Sequence, residues 1–187
     1  MPESAETQEK YLVKFIIGVL FLHQEACSRL FDRISRQGWT IQLKSEIHPF
    51  NLSSYYEQEM GRGLSRFFIS LQNPVFQAET VDFKQELLSW ENEWRSNGQR
   101  TVNLDAGYLD LHRVVLLSTK EGPNKIHLRE GIWADLNMLR KSGSYQSLPW
   151  TFPDLRDGRY QEFFEKARDA FKHELRMLKR IHLRRNE

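Results

Sequence analysis

An α+β protein is what this sequence predicts, from apolar runs of strand length, amphipathic segments between them, and a long amphipathic C-terminal segment. Residues 12–21 are an almost unbroken run of β-branched, aromatic and aliphatic side chains, the pattern of a central strand covered on both faces. In "HQEACSRLFDRISRQGW", Ala26, Cys27, Leu30, Phe31 and Ile34 recur at helical spacing and Gly38 supplies the stop. "TIQLKSEI" alternates as a half-exposed strand does, with Ile41, Leu43 and Ile47 opposite Thr40, Gln42, Lys44 and Glu46. "RFFISLQ" (66–72) reads as another strand, closed by Asn73-Pro74. Phe83, Leu87, Leu88, Trp90, Glu91 and Trp94 then trace a second helix from Val81 to Trp94, ended by Asn97-Gly98. "RTVNL" and "RVVLLS" read as strand segments flanking a turn, in which Asp105 bonds the backbone and Gly107 takes positive φ. The order that results, β-α-β-β-α-β, is the ferredoxin-like split arrangement.

A β-hairpin meander extends this core. In "NKIHLREGIWADLNML" a three-residue loop, Arg129-Glu130-Gly131 with Gly131 left-handed, would pair Leu128 with Ile132 and Ile126 with Ala134. That register gathers Ile126, Leu128, Ile132, Ala134, Leu136 and Met138 on one face, and Lys125, His127, Trp133, Asp135 and Asn137 on the other. "LPWTFPDLRDG" is an irregular connection, because its prolines deny strand hydrogen bonds. A long final helix packed on the sheet follows, with Tyr160, Phe163, Phe164, Ala167, Phe171, Leu175 and Leu178 as its buried stripe. Residues 1–9 are polar and read as a flexible N-terminus. Without repeats or a Pro/Gly-rich linker, residues 10–187 are expected to form one domain.

The 187 residues carry a formal charge of +2, too little for a field that attracts nucleic acid or a membrane surface. The basic excess sits in "KHELRMLKRIHLRR", where it complements the dipole at a helix C-terminus. A lone cysteine, Cys27, rules out an internal disulfide framework and reads as a buried structural thiol. "YLVKFIIGVLFL" is interrupted by Lys14 and falls short of the about twenty apolar residues that a membrane span needs. A cytoplasmic location with no membrane partner is the expectation.

Four stretches carry chemistry. "YYEQEMGRG" (55–63) sets Tyr56, Glu59 and Arg62 around two glycines, with Arg66 just beyond; an arginine here could grip a phosphate or carboxylate bidentately. In "NLDAGYLDLHRVVLLSTK" (103–120), Asn103, Asp105 and Tyr108 precede an apolar run that ends in Ser118, Thr119 and Lys120. Two hydroxyls and one ammonium at a strand end can hold an oxyanion. On the hairpin, His127 opposite Trp133 and diagonal to Asp135 suggests an oriented imidazole suited to general-base work. "LPWTFPD" offers Trp150 and Phe152 as caps on the core beneath the last helix, with Asp154 near its start. The six histidines show no HxxxH or HExxH spacing, so no metal site is expected.

"PFNLSSYYEQEMGRGLSRFFIS", "NLDAGYLDLHRVVLLSTK", "KIHLREGIWADLNML" and "LPWTFPD", in this order and spacing, resemble the prokaryotic domain-of-unknown-function 4416 family from about Tyr11 to Phe171. The family pattern has Pro at Ala106, Ala at Leu117 and Tyr at Phe152; at Asp135 it has Glu, one methylene longer. The resemblance implies a small cytoplasmic protein with no established activity or cofactor. Some members carry the label "GTP-binding protein", whereas this chain has no GxxxxGKS/T loop to wrap phosphates. Ser118-Thr119-Lys120 is similar to a guanine-recognition loop that lacks the phosphate loop before it.

The functional expectation is binding of, or action on, a phosphate-bearing or nucleotide-like small molecule. His127, Asp135 and Asp105 are the candidate acid–base groups. Tyr56, Glu59, Arg66, Asn103, Tyr108, Ser118, Thr119 and Lys120 are the candidate ligand contacts, and Tyr108, Lys120 and His127 are expected to face one hollow. The alternatives are a non-catalytic RNA-binding module, which needs aromatics on an exposed sheet face, and a protein-interaction module built on the terminal helix.

Overall fold

The computed structural model describes residues 11–52 and 54–185, without the side chains of residues 182–185; the polar N-terminal stretch 1–9 lies outside the described residues. It is an α+β structure organised on one ten-stranded antiparallel sheet. The strands are β1 (Leu12–Phe21), β2 (Ile41–Lys44), β3 (His48–Pro49), β4 (Ser65–Leu71), β5 (Val75–Phe76), β6 (Val102–Leu109), β7 (Arg113–Ser118), β8 (Lys125–Arg129), β9 (Ile132–Lys141) and β10 (Ser144–Ser147). The helices are α1 (Glu25–Arg36), α2 (Glu57–Met60), α3 (Thr80–Glu93), α4 (Pro153–Arg156) and α5 (Gln161–Arg185). Strand order is β10-β9-β7-β6-β1-β4-β2, with β3 paired to β4, β5 to β1 and β8 to β9.

Strand β1 sits at the centre because both of its faces are apolar. Phe15, Ile17, Val19 and Phe21 meet the stripes of α1 and α3, in which Leu30, Ile34, Leu87 and Trp90 are buried. Ile16 on the opposite face joins a second core with Phe68, Tyr160, Phe164 and Phe171, and so seats α5 on the sheet. A sheet covered on both sides explains why 12–21 lacks the alternation of a half-exposed strand. Lys14 interrupts the run yet is fully buried, because its ammonium reaches Glu174 of α5 at 2.6 Å and the carbonyl of Gln72 at 2.7 Å.

The structure corrects two local expectations. Asp105-Ala106-Gly107 is not a turn: β6 runs straight through it. Alternation explains why, since Val102, Leu104, Ala106 and Tyr108 all enter the α1/α3 core while Asn103, Asp105 and Gly107 face the other way. The turn comes at Asp110, whose Oδ1 accepts the backbone N–H groups of His112 (2.7 Å) and Arg113 (2.8 Å). Gly107 is needed for close approach instead: a Cβ there would lie 2.6 Å from the carbonyl oxygen of Val115 in β7.

The hairpin differs as well. Ile126 does pair with Ala134, but Arg129, rather than Leu128, lies opposite Ile132. Glu130 (φ 54°) and Gly131 (φ 71°) form a two-residue turn with both residues at positive φ, which suits strand twist better than the three-residue loop and leaves a bulge at Leu128. Strand β8 is therefore a marginal strand, with Ile126 72% exposed, and only Ile132 and Met138 of the expected apolar face are fully buried.

Candidate functional site

Strands β6 and β7 pair only from Gly107–Leu109 to Val114–Leu116; beyond that β7 stays with β9, and Leu117 and Ser118 part from β6. The separation opens a cleft of about 420 Å³. It also leaves the outward backbone groups of Leu104 without a neighbouring strand, and helix α3 supplies them. Glu91 accepts the Leu104 N–H, and Lys84 Nζ donates to the Leu104 carbonyl at 3.1 Å. Lys84 and Glu91, seven residues apart on one buried helix face, thus stand in for a β-strand.

One end of the cleft is carboxylate-rich. Arg66 donates to Asp105 at 2.7 Å and to Asp154 at 2.9 Å. Asp154 is brought there by α4, the short helix that Pro153 begins. Arg66 reaches Asp105 across the middle strand, where Gly18 lies between Phe68 and Asp105 in register; a Cβ at Gly18 would sit 3.0 Å from the Arg66 guanidinium. Burial opposes the Arg66 charge, but Asp154 and Asp105 outweigh it and raise its pKa. Asn103 donates to the other Asp105 oxygen at 2.8 Å. Arg100 ties this wall together, bonding Asn103 at 2.6 Å, Glu91 at 3.1 Å and both Glu59 oxygens at 2.9 and 2.6 Å.

The other end is cationic and hydroxylic. Lys125 donates to Ser118 Oγ at 3.0 Å and to the Lys120 carbonyl at 3.1 Å, while Ser118 Oγ accepts the Lys120 N–H at 3.0 Å. Lys120 Nζ meets the Tyr55 hydroxyl and lies 4.5 Å from the centre of its ring. Asp135 pairs with Asn124 at 2.7 Å and stands 4.0 Å from the Lys125 ammonium. Phe50, Tyr56 and Phe152 supply aromatic lining.

Two carboxyl groups of the lining are held above the usual carboxylate range by burial: Glu91 in spite of Lys84 and Arg100, and Asp135 in spite of Lys125 and Asn124. The Tyr56 hydroxyl is likewise raised, by the charge of Asp105 first and by burial second. Among the described residues no three His, Cys, Asp or Glu side chains group closely enough to hold a metal ion.

Of the residues singled out from sequence, Tyr56, Asn103, Asp105, Ser118, Thr119, Lys120 and Asp135 line this cleft. Glu59 and Arg66 lie behind the lining, Glu59 on Arg100 and Arg66 between two aspartates, so the Arg66 donors are directed at the protein's own carboxylates rather than at a ligand. Arg62 points into solvent, 3.4 Å from Glu57. Tyr108 faces the opposite core and its hydroxyl accepts from Gln77 at 3.0 Å, because it shares the parity of Leu104 and Ala106. His127 is exposed on β8 against the Trp133 ring, outside the cleft, and Asp135 is matched across the hairpin with Lys125. Tyr108, Lys120 and His127 therefore do not share one hollow. Trp150 and Phe152 are half exposed rather than capping the core; Trp150 donates to the Leu136 carbonyl at 2.7 Å.

Lys84, Glu91 and Arg100 are lining residues that sequence reasoning did not nominate; Lys125 and Asp154, placed from sequence on the polar hairpin face and near the last helix, join them in the lining. A signal existed for two of them, since Lys84 and Glu91 are charged residues set among the buried positions of an amphipathic helix. Among the described residues no helix is long and apolar enough to cross a membrane.

No curated protein and no solved structure matches the chain. The family model described as "Domain of unknown function (DUF4416)" matches residues 11–171, which takes in every strand and the residues of both cleft ends. The chain belongs to this domain-of-unknown-function family.

Proposed function

We propose that the protein binds a phosphate-bearing or nucleotide-like small molecule in the cleft between β6 and β7. The observation that carries this reading is the convergence of Ser118, Thr119, Lys120 and Lys125 at one end of a cleft of about 420 Å³. Hydroxyl donors and two ammonium groups suit phosphate oxygens. The volume suits a ligand of nucleotide size, since small-molecule sites run from roughly 300 to 1,000 Å³. Tyr55, Tyr56 and Phe152 supply faces on which a planar or sugar ring can rest. We also read β6-β1-β4-β2 with α1 and α3 as the ferredoxin-like split core; the strand order and the two intervening helices support that reading. For the RNA-binding alternative the sheet aromatics are ill placed, because Phe15, Phe67 and Phe68 are fully buried.

Isothermal titration with pyrophosphate and with nucleoside monophosphates tests the proposal. Lys120→Ala combined with Lys125→Ala is expected to weaken binding at least about tenfold, which is roughly 1.4 kcal/mol. His127→Ala is expected to change it less than about twofold, because that ring lies outside the cleft. Equal binding by the double variant and the wild type sinks the reading.

A further inference from the structure

At one end of the cleft two carboxylates share a single cation. That cation is Arg66, divided between Asp105 and Asp154; Arg66 and Asp154 are buried, and Asp105 is partly exposed to the cleft. Beside them Arg100, Lys84 and the part-exposed Arg95, 3.9 Å from Glu59, face Glu59 and Glu91, and none of the three bonds Asp105 or Asp154. Asp154 is 1% exposed, and its Oδ1 is buried without a hydrogen-bond partner although the residue lines the cleft. Buried carboxylates are ordinarily paired and fully bonded, because an uncompensated one is strongly destabilising. At the opposite end Lys125 stands beside the buried Asp135, and Lys120 and Glu121 are both exposed at the rim, where water screens them.

We propose that the Asp105–Asp154 end receives a positively charged amino or amidine group of the ligand, which makes the ligand a zwitterion with its phosphate at the Lys120–Lys125 end. The second half of that statement rests on the phosphate reading above; the first does not. Asp105 is the group that meets the ligand, since its side chain keeps 22% exposure and each of its oxygens has bonding capacity beyond the donors it already accepts. Asp154 stands behind it as the second negative charge. A ligand hydroxyl could bond these oxygens but would leave the extra charge in place.

The probes are ω-aminoalkyl phosphates of two to six carbons, the matched ω-hydroxyalkyl phosphates, pyrophosphate, and butylammonium without a phosphate. The expected result is that the best aminoalkyl phosphate binds at least about tenfold more tightly than its hydroxyl counterpart. In Asp105→Asn, which retains an acceptor for Arg66, that preference should fall below about twofold while pyrophosphate affinity is kept. Retained pyrophosphate binding also shows that the variant is folded. Equal affinity for amine and hydroxyl probes overturns the proposal, as does a preference that survives Asp105→Asn. If pyrophosphate fails to bind but butylammonium binds and is lost in Asp105→Asn, the amine site stands and the phosphate reading falls. Failure of every probe at millimolar concentration overturns both.

Discussion

Glu91 of helix α3 accepts the backbone N–H of Leu104, a bond that a β-sheet would ordinarily make between two strands. The substitution of a helix side chain for a strand partner is what allows β6 and β7 to part without orphaning the backbone. Removing the acceptor should therefore cost more than an ordinary helix substitution. Glu91→Leu leaves the Leu104 N–H buried and unpaired and frees Arg100, with an expected loss of about 1–3 kcal/mol or more in urea unfolding. Glu91→Gln keeps a carbonyl acceptor and should lose markedly less. Equal destabilisation by the two would show that packing, not the backbone bond, is what Glu91 provides.

The same carboxyl makes stability depend on pH in a known direction. Burial raises the Glu91 pKa above its ordinary 4.5, and that of Asp135 above 3.8. A carboxyl whose folded pKa is raised holds its proton better folded than unfolded. Its contribution is fully present below the unfolded pKa and is lost as pH rises through the folded one. Gln and Asn have no proton to lose, so the stability of Glu91→Gln and Asp135→Asn relative to the wild type should improve as pH rises above about 4.5 and 3.8 respectively. Urea midpoints measured from pH 4 to 7.5 check this. A relative stability that falls with pH would mean that Arg100 and Lys125, not burial, dominate these groups.

The sheet and its two covering layers were legible because burial writes itself into hydropathy: the unbroken run at 12–21, the stripes of α1 and α3, and the apolar face of α5 all follow from it. Asp105-Ala106-Gly107 misled because turn chemistry and an alternating strand can use the same residues. The parity of Leu104, Ala106 and Tyr108 was the deciding signal, and it also carries Tyr108 away from the cleft. Lys120 and Ser118 were accessible as a polar cluster at a strand end. The Arg66–Asp154 contact joins residues 88 positions apart, and nothing local in either stretch announces the other. His127 drew attention by its place opposite Trp133 and diagonal to Asp135, and that pairing does not reveal that β8 is a marginal strand.

Two glycines should prove intolerant for different reasons. At Gly107 an added Cβ meets backbone, the Val115 carbonyl at 2.6 Å, and can be relieved only by pushing β7 away. At Gly18 it meets side chains, Phe68 at 2.8 Å and Arg66 at 3.0 Å. Gly107→Ala and Gly18→Ala are each expected to cost about 1–3 kcal/mol, as overpacked positions do. Gly18→Ala should in addition shift the side-chain NMR resonances of Arg66, which Gly107→Ala should leave nearly unchanged. Wild-type stability in either variant would show that the close approach is not a constraint.

Lys14 and Glu174 form an unequal pair, and the inequality sets the order of their variants. The Lys14 side chain is fully buried, whereas Glu174 keeps 17% exposure and also accepts from Gln42 at 2.9 Å. Burial already lowers the Lys14 pKa in spite of Glu174. Glu174→Leu strands an ammonium that water cannot reach, the situation in which breaking a buried pair costs about 3–5 kcal/mol. Lys14→Met removes the fully buried charge and fills its space with apolar atoms, while Glu174 can turn to solvent, so its cost should be clearly smaller. The double variant Lys14→Met/Glu174→Leu should recover most of the loss of Glu174→Leu, because two apolar side chains then meet where two charges were desolvated. A double-mutant cycle in urea measures all three. If Lys14→Met is as damaging as Glu174→Leu, the pair serves chiefly to hold α5 against β1 through its specific bonds, and the desolvation argument gives way to that one.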